Sequence, residues 1–563
     1  MKSSHSLLVY SALALALLAP MASEDKFLLA SDHANHVAVI HQAAAALADG
    51  QFPIRSAPAV HGGVLYPLFQ FYSPLPYTIA GSIHRYLFTA SAYLSYKFAL
   101  FVFLAGAGFA IRMAVLRLTE NPGAAFVAGV SYLTMPYLIV NIQARGAFTE
   151  AIGQCVAAFV AWAVVEMDLN PSLRTFSSAA IAWCALATTH LITFEYIALS
   201  FCMAAASIAI WRGSLQQLFY FAGSLAGGAA LAAWFLLPVA GTDYLVIRGL
   251  LPNPFMFRGF SPIEAVLSPF PVTPAAVLKG TPGFYSSAGL GTLGGVAICI
   301  GYSISSLRKG SGKPPFAVIF SLLAAFWIFV VVSPFDFWTR LPVAARVCQF
   351  SYRLLACVGI CGALCAGMAY AAIVRSATNK LALGITASAL LLAAVPFRST
   401  ALSNDRRPEQ VAANPSIGYG SRDYLADIRK VALGGLPQGI PVPLLYGDHW
   451  IIHNRAVPIP IPAGLSGSSA VLEFSGELLP GLASASVSLV INGTTIDTIT
   501  LKPDFGSVKV PLQVPSAASM TLELRSPSAV TPRELDGKSL DTRKLAIRSD
   551  RLTQPSQLTG KKS

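Results

Sequence analysis

An aspartate and a set of histidines stand together near the start of this chain. Asp32 precedes His33, His36 and His41, which lie on or near one helical face; His61 comes later in the same segment, and His84 lies just past it. A carboxylate can serve as a general base. Asp32, His33 and His36 are also ligand types for a metal ion. No fourth ligand is evident, and packed or hydrogen-bonded histidines produce the same pattern. Asp32 has a plainer use as the cap of a helix over residues 33–48, a role that is compatible with the base. The whole segment, residues 31–77, sits between apolar runs. Titratable groups beside a bilayer are costly to keep, which marks this segment as a working site.

The rest of the chain must position that segment within a membrane. Of 563 residues, 55% are hydrophobic and 12% charged, where a soluble domain carries about 25% charged residues. Apolar runs fall at 7–22, 92–116, 123–142, 148–166, 175–190, 194–211, 216–240, 286–306, 315–333, 352–374 and 380–397. They predict a polytopic α-helical membrane protein of about eleven transmembrane helices. The first run reads either as a signal peptide or as a short retained helix. Thr188, Thr189 and His190 interrupt the run at 175–211, where a re-entrant pair is an alternative. Arg112, Arg117, Arg174, Arg212, Arg308, Lys309, Lys313, Arg375 and Lys380 then share one side, cytoplasmic by the excess of positive charge. The loops 23–91, 241–285 and 334–351 fall on the other side, and an odd count puts the C-terminal region there too. The net charge of +13 is thus a topology signal, and no nucleic-acid motif accompanies it. The eight cysteines lie in or beside apolar runs without a CxxC spacing. Cys357, Cys361 and Cys365 make one helical stripe, which reads as close helix packing.

Three parts are expected: a transmembrane domain over 1–397, a linker over 398–440 rich in Pro, Gly and charge with a short helix at 421–432, and a β-rich domain over 441–563 with a polar tail. Short alternating runs in the last part predict an extracytoplasmic β-sandwich. Asn492-Gly493 between two such runs signals a hairpin. The same residues with Thr494 fit a glycosylation sequon, which the turn already explains.

The first external loop resembles that of the GT-C superfamily, the multispan glycosyltransferases that use polyprenyl-phosphate sugars. More narrowly, the chain resembles the bacterial integral-membrane family labelled "6-pyruvoyl-tetrahydropterin synthase-related", and more distantly the YfhO-type proteins. The matching pieces are Asp32-His33 with His36, Asp49-Gly50-Gln51-Phe52-Pro53, Gly62-Gly63 with Tyr66-Pro67, and Phe71-Tyr72-Ser73-Pro74-Leu75-Pro76-Tyr77. Arg145-Gly146-Ala147 with Glu150, then His190, then Gln349-Phe350-Ser351-Tyr352-Arg353 follow in order. The family motif at that last place is QFPWR, so Ser351 and Tyr352 depart from it while Gln349 and Arg353 stand. Pro532-Arg533-Glu534-Leu535 and Ser539-Leu540-Asp541-Thr542-Arg543 resemble a closing motif of external β-domains in glycan-handling proteins.

The resemblance implies transfer of a sugar from a polyprenyl-phosphate donor to an extracytoplasmic glycan or lipid-linked acceptor, at a bacterial cytoplasmic membrane. Such transfer passes through an oxocarbenium-like state and needs a deprotonated acceptor hydroxyl. An acid in this loop is the usual base of the superfamily, and the resemblance carries that role onto Asp32. Arginine grips a phosphate bidentately, and Arg145 and Arg353, at external span ends, are the candidates. Arg55, Arg340 and Arg346 are further external cations, and each arginine also reads as an interfacial side chain that snorkels. Glu150 pairs with Arg145 or favours the start of its helix. His33, His36, His190 and Gln349 complete the expected substrate-binding set, and Glu195 with His190 flanks the interrupted run. The aromatic and proline residues of 66–77 read as a sugar or lipid platform or as an interfacial belt. No cofactor is required by this chemistry, although the resemblance leaves room for a divalent ion. The rivals are a non-catalytic transporter of a lipid-linked glycan and an assembly component for a cell-envelope polysaccharide.

Overall fold

A computed structural model of the chain describes residues 3–23, 32–58, 68–240, 261–268, 287–307, 316–342, 348, 350–374, 384, 388, 457–460, 467, 469–478, 481–503, 507–513, 516, 519–529 and 547–552. The described helices and the described strands belong to two separate compact units. Helices α1 (Ser3–Leu18), α2 (His33–Ala48), α3 (Leu75–Tyr86), α4 (Ala92–Thr119), α5 (Pro122–Leu133), α6 (Pro136–Val140), α7 (Phe148–Leu169), α8 (Leu173–Thr189) and α9 (Leu191–Arg212) follow in order. After them come α10 (Gln216–Leu231), α11 (Ala233–Ala240), α12 (Ile263–Val266), α13 (Leu290–Leu307), α14 (Phe316–Val332) and α15 (Leu355–Ile373).

The protein is a multi-pass integral membrane protein, but eleven spans is not its count. Among the described residues five helices are long and apolar enough to cross a membrane: Ala92–Thr119, Pro122–Arg145, Phe148–Leu169, Leu191–Arg212 and Ser351–Ile373. A sixth is reached if Gln216–Leu231 and Ala233–Ala240, bent by 77° at Ala232, form one broken span. Helix boundaries shorten the other apolar runs. His5–Met21 and Phe316–Val332 stay below 18 residues, about 26 Å or less against a hydrocarbon core of about 30 Å. The run at 175–190 folds as α8, a helix of 17 residues. The run at 380–397 lies outside the described residues but for isolated positions. Without an odd count, the parity that placed the C-terminal region outside falls away.

Local sequence explains where the helices begin and end. Ser91 caps α4 by accepting the Leu94 N–H at 3.0 Å. Asn121 caps α5 through the N–H groups of Gly123 and Ala124, with Pro122 preset for the first turn. Pro136 starts α6 after a break, and α6 runs into a single π-helical turn, Asn141–Arg145, that ends on Gly146. At the far end of the bundle Arg117 pairs with Glu166 at 2.7 Å, and Arg212 pairs bidentately with Asp168 at 2.9 Å. The C-termini of α4, α7 and α9 therefore share one end, and the starts of α7 and α9 share the other. All eight cysteines are free thiols, with Cys357, Cys361 and Cys365 buried along α15.

The strands are β1 (Val457–Pro460), β2 (Ser469–Leu478), β3 (Ala485–Ile491), β4 (Thr494–Leu501), β5 (Ser507–Gln513), β6 (Ser519–Arg525) and β7 (Ile547–Leu552). The expected hairpin forms: Ile491 pairs with Thr494 across Asn492 and Gly493, both at positive φ (48° and 83°). The expected β-sandwich does not. Two open antiparallel sheets form instead, ordered β1-β6-β3-β4 and β5-β2-β7. Along the hairpin, β3 buries one face, but β4 is exposed at all but two of its positions. A sandwich strand buries every second residue, and β4 is an edge ribbon that does not. The 421–432 helix, the linker and the 532–543 motif lie outside the described residues.

Candidate functional site

The turn between α6 and α7 organises the site. Gly146 adopts φ +66°, a left-handed conformation that ends the π turn. It also leaves room for a second chain segment: a Cβ at this position would stand 2.8 Å from the main-chain nitrogen of His33. The first residues of α2 thus lie directly against the turn, and the Asp32 N–H donates to the Arg145 carbonyl at 2.9 Å. Asp32 occupies the cap position of α2, yet its side chain makes no capping hydrogen bond. Asp32 as a whole is half-buried.

Behind Asp32 lies a buried ionic group. Arg145 Nη1 is 2.8 Å from Glu150 Oε2 and 2.5 Å from Asn141 Oδ1. Tyr137 donates its hydroxyl to Glu150 Oε1, and Arg145 Nη1 reaches the same hydroxyl at 3.3 Å. Arg353, from the 3-10 turn that precedes α15, brings its Nε to 3.5 Å from Glu150 Oε2. The Glu150 and Arg145 side chains are 4% and 5% exposed, so one carboxylate is clamped between two guanidiniums away from water. Arg145 also lies over the Tyr352 ring at 5.2 Å, and Arg353 over Phe350 at 5.3 Å.

Two neutral histidines border this group. His190 ends α8 and caps α9: its Nδ1 accepts the Thr193 N–H at 3.2 Å and lies 2.7 Å from the Thr193 hydroxyl. Accepting at Nδ1 leaves the proton on Nε2. Gly153 lets α7 approach, since a Cβ there would come within 2.8 Å of the His190 Cβ. Burial holds His190 down to about 4, with Arg353 and Arg145 acting in the same sense against Glu150. His36 sits 2.6 Å from the Tyr77 hydroxyl through Nδ1. Burial, then Arg145 and His190, lower it to about 3. His33 is buried against the rings of Tyr93 and Tyr96, at 5.5 and 4.7 Å. Phe148 stacks on Tyr96 at 4.7 Å and contacts Tyr77.

The structure therefore gathers Asp32, His33, His36, Arg145, Glu150, His190 and Arg353 at one end of the helices. Gln349, Arg346, His61, Gly62, Gly63, Tyr66 and Pro67 lie outside the described residues. Arg55 contacts Trp234 through its ring face and carbonyl instead, Arg340 is exposed, and no ion pair joins Glu195 to the cluster among the described residues. His41 pairs with His84. Sequence reading did not single out Tyr137, Asn141 or Thr193. Asn141 stands four residues before Arg145, a helical spacing that signals the contact. Among the described residues no three His, Cys, Asp or Glu side chains converge as a metal site. Two apolar cavities among the described residues lie elsewhere. One is lined by Asp168, Phe201, Tyr220 and Phe320, and a smaller one by Ser200, Phe201 and Cys357 among others.

No protein-family model and no curated protein matches the chain. Among solved structures it is similar to the archaeal oligosaccharyltransferase AglB from Archaeoglobus fulgidus in complex with an inhibitory peptide and a dolichol-phosphate, at 14% identity and a TM-score of 0.38, over 75% of this chain and 56% of that one. It is also similar to the arabinosyltransferase EmbB from Mycobacterium smegmatis, at 13% identity and a TM-score of 0.36, over 98% of this chain and 65% of that one. The chain spans less than two thirds of either structure's length. Likeness at this level assigns no activity.

Proposed function

We propose that the protein is a GT-C-like membrane glycosyltransferase, with Asp32 as general base and a polyprenyl-phosphate sugar as donor. The observation that carries this reading is the Asp32 N–H bond to the Arg145 carbonyl. It ties the main chain of a half-buried acid to the turn that carries Arg145, whose side chain shares Glu150 with Arg353. Transfer from a phosphate donor requires a base for the acceptor hydroxyl and cations for the leaving phosphate, and this turn brings the main chains of both residue types together. Arg145 and Arg353 would meet the donor phosphate, and His36 and His190, as neutral rings, would orient sugar or acceptor hydroxyls. The ion-paired end with Arg117 and Arg212 is the cytoplasmic one in this reading, by the positive-charge rule. The site, roughly 27 Å away along α7, then faces outward from the bacterial cytoplasmic membrane, toward a glycan or lipid-linked acceptor.

The test is Asp32→Asn in membranes supplied with polyprenyl-phosphate sugar. Transfer is expected to fall by about 10²-fold or more, with the purified protein still folded and inserted, checked by its melting temperature. Transfer at the wild-type rate ends the proposal and favours a transporter or assembly role.

A further inference from the structure

The larger of the two apolar cavities is a groove at the far end of the bundle from the candidate site, where Arg212 holds Asp168. Its walls come from α7, α9, α10 and α14, all within one compact unit. Polar and apolar groups are sorted along it. Asp168, Gln217 and Tyr220 stand at the ion-paired end, while Ala204, Phe201 and Phe320 lie deeper. The Phe201 and Phe320 rings meet there at 6.4 Å. Phe201 stands roughly 16 Å along α9 from Arg212. Half of a hydrocarbon core of about 30 Å is of that length, so the groove runs the depth of one leaflet.

Two acceptors line its polar end. Gln217 keeps its Oε1 buried, with no hydrogen-bond donor on it among the described residues. An amide oxygen left in that state is costly. Asp168 receives Arg212 Nη1 and Nη2 at 2.9 Å, one on each oxygen, and each oxygen keeps a lone pair to spare. The Asp168 side chain is 13% exposed, so a headgroup has access to it.

We propose that this groove binds one phosphatidylethanolamine from the leaflet on its side of the membrane. An acyl chain lies between α9 and α14, and the ammonium donates to Gln217 Oε1 and Asp168. The bidentate pair leaves further Arg212 N–H groups for the lipid phosphate. Charge complementarity selects the headgroup. The open positions at this end are acceptors, so the ligand must bring donors, and a carboxylate among them favours a cation. An ammonium supplies both. A choline headgroup carries the same charge without a donor, and a glycerol headgroup has donors without the positive charge. Nothing in this site depends on glycosyl transfer.

The test is native mass spectrometry of the full chain in detergent, delipidated and then given phosphatidylethanolamine, phosphatidylcholine or phosphatidylglycerol of equal chain length. The wild type is expected to retain one phosphatidylethanolamine, roughly tenfold or more tightly than phosphatidylcholine, and to melt at a higher temperature with it. Gln217→Leu, close in size but without the acceptor, should lose most of that preference. Ala204→Phe fills the apolar part of the groove and should lose the lipid, while Phe219→Leu, on the exposed side of α10, retains it as the wild type does. No retained lipid, equal retention of the three, a preference for phosphatidylglycerol, or retention that survives Ala204→Phe overturns the proposal. Should Ala204→Phe fail to fold, Gln217→Leu decides it: an undiminished preference for phosphatidylethanolamine overturns it.

Discussion

At the scale of single residues, the decisive feature is one carboxylate serving two guanidiniums. Burying three charges is repaid only when geometry and further hydrogen bonds are good. Here Tyr137 and Asn141 supply those bonds, one to each end of the Arg145–Glu150 pair. Removing the acid leaves Arg145 and Arg353 facing each other without a counter-charge. Glu150→Gln is therefore expected to destabilise the protein by on the order of 3–5 kcal/mol, read as a lower melting temperature in detergent. Glu150→Gln combined with Arg145→Met should recover part of the loss, because the second change removes one of the stranded cations. The charged members of this group were legible in the sequence, since charges stand out against apolar spans. Tyr137 and Asn141 were not. Tyrosine and asparagine near a span end are common interfacial residues, and only the π turn brings them onto Arg145.

At the scale of elements, the site depends on a break. Three pieces, α5, α6 and the π turn, share one span that ends at Arg145, and Gly146 reverses the chain into α7. The same glycine is the surface on which α2 starts. Gly146→Ala meets two obstacles at once: a left-handed φ that a side chain resists, and the His33 backbone at 2.8 Å. The variant should lose about 1–3 kcal/mol and, in the proposed function, more activity than stability, because the start of α2 must shift and Asp32 with it. Measuring transfer and melting temperature on the same preparation separates the two effects. A change in stability with no change in transfer would detach Asp32 from the reaction. The interruption at Thr188-Thr189-His190 was readable in the sequence because polar residues halt an apolar run, and α8 does end there. The span count was not readable, because hydropathy measures apolar letters and not helix ends. Phe316–Val332 is strongly apolar yet short, and the 77° bend at Ala232 has no proline at the break. The β-sandwich failed for a related reason: alternation predicted strands correctly, but strand order and exposure decide whether sheets cover each other, and the exposed β4 leaves its sheet open.

At the scale of the whole molecule, two neutral histidines, His36 buried and His190 half-buried, make stability depend on pH in a definite direction. Unfolded histidine titrates near pH 6.5, while folded His36 stays neutral down to about 3 and His190 down to about 4. Above pH 6.5 both rings are neutral in both states and the fold loses nothing. As pH falls below 6.5 the unfolded chain takes up protons that the folded chain refuses, so stability drops. The drop continues until the folded rings titrate, near 4 for His190 and near 3 for His36. Between pH 7 and 5 each ring accounts for roughly 2 kcal/mol. Melting temperature measured from pH 7 to 5 should fall in the wild type and fall less steeply in His36→Gln or His190→Gln, with the double variant flattest. An acid-insensitive wild type in this window would mean that one or both rings are open to water, and the closed end of the helix bundle that holds Arg145, Glu150 and Arg353 together would be open with them.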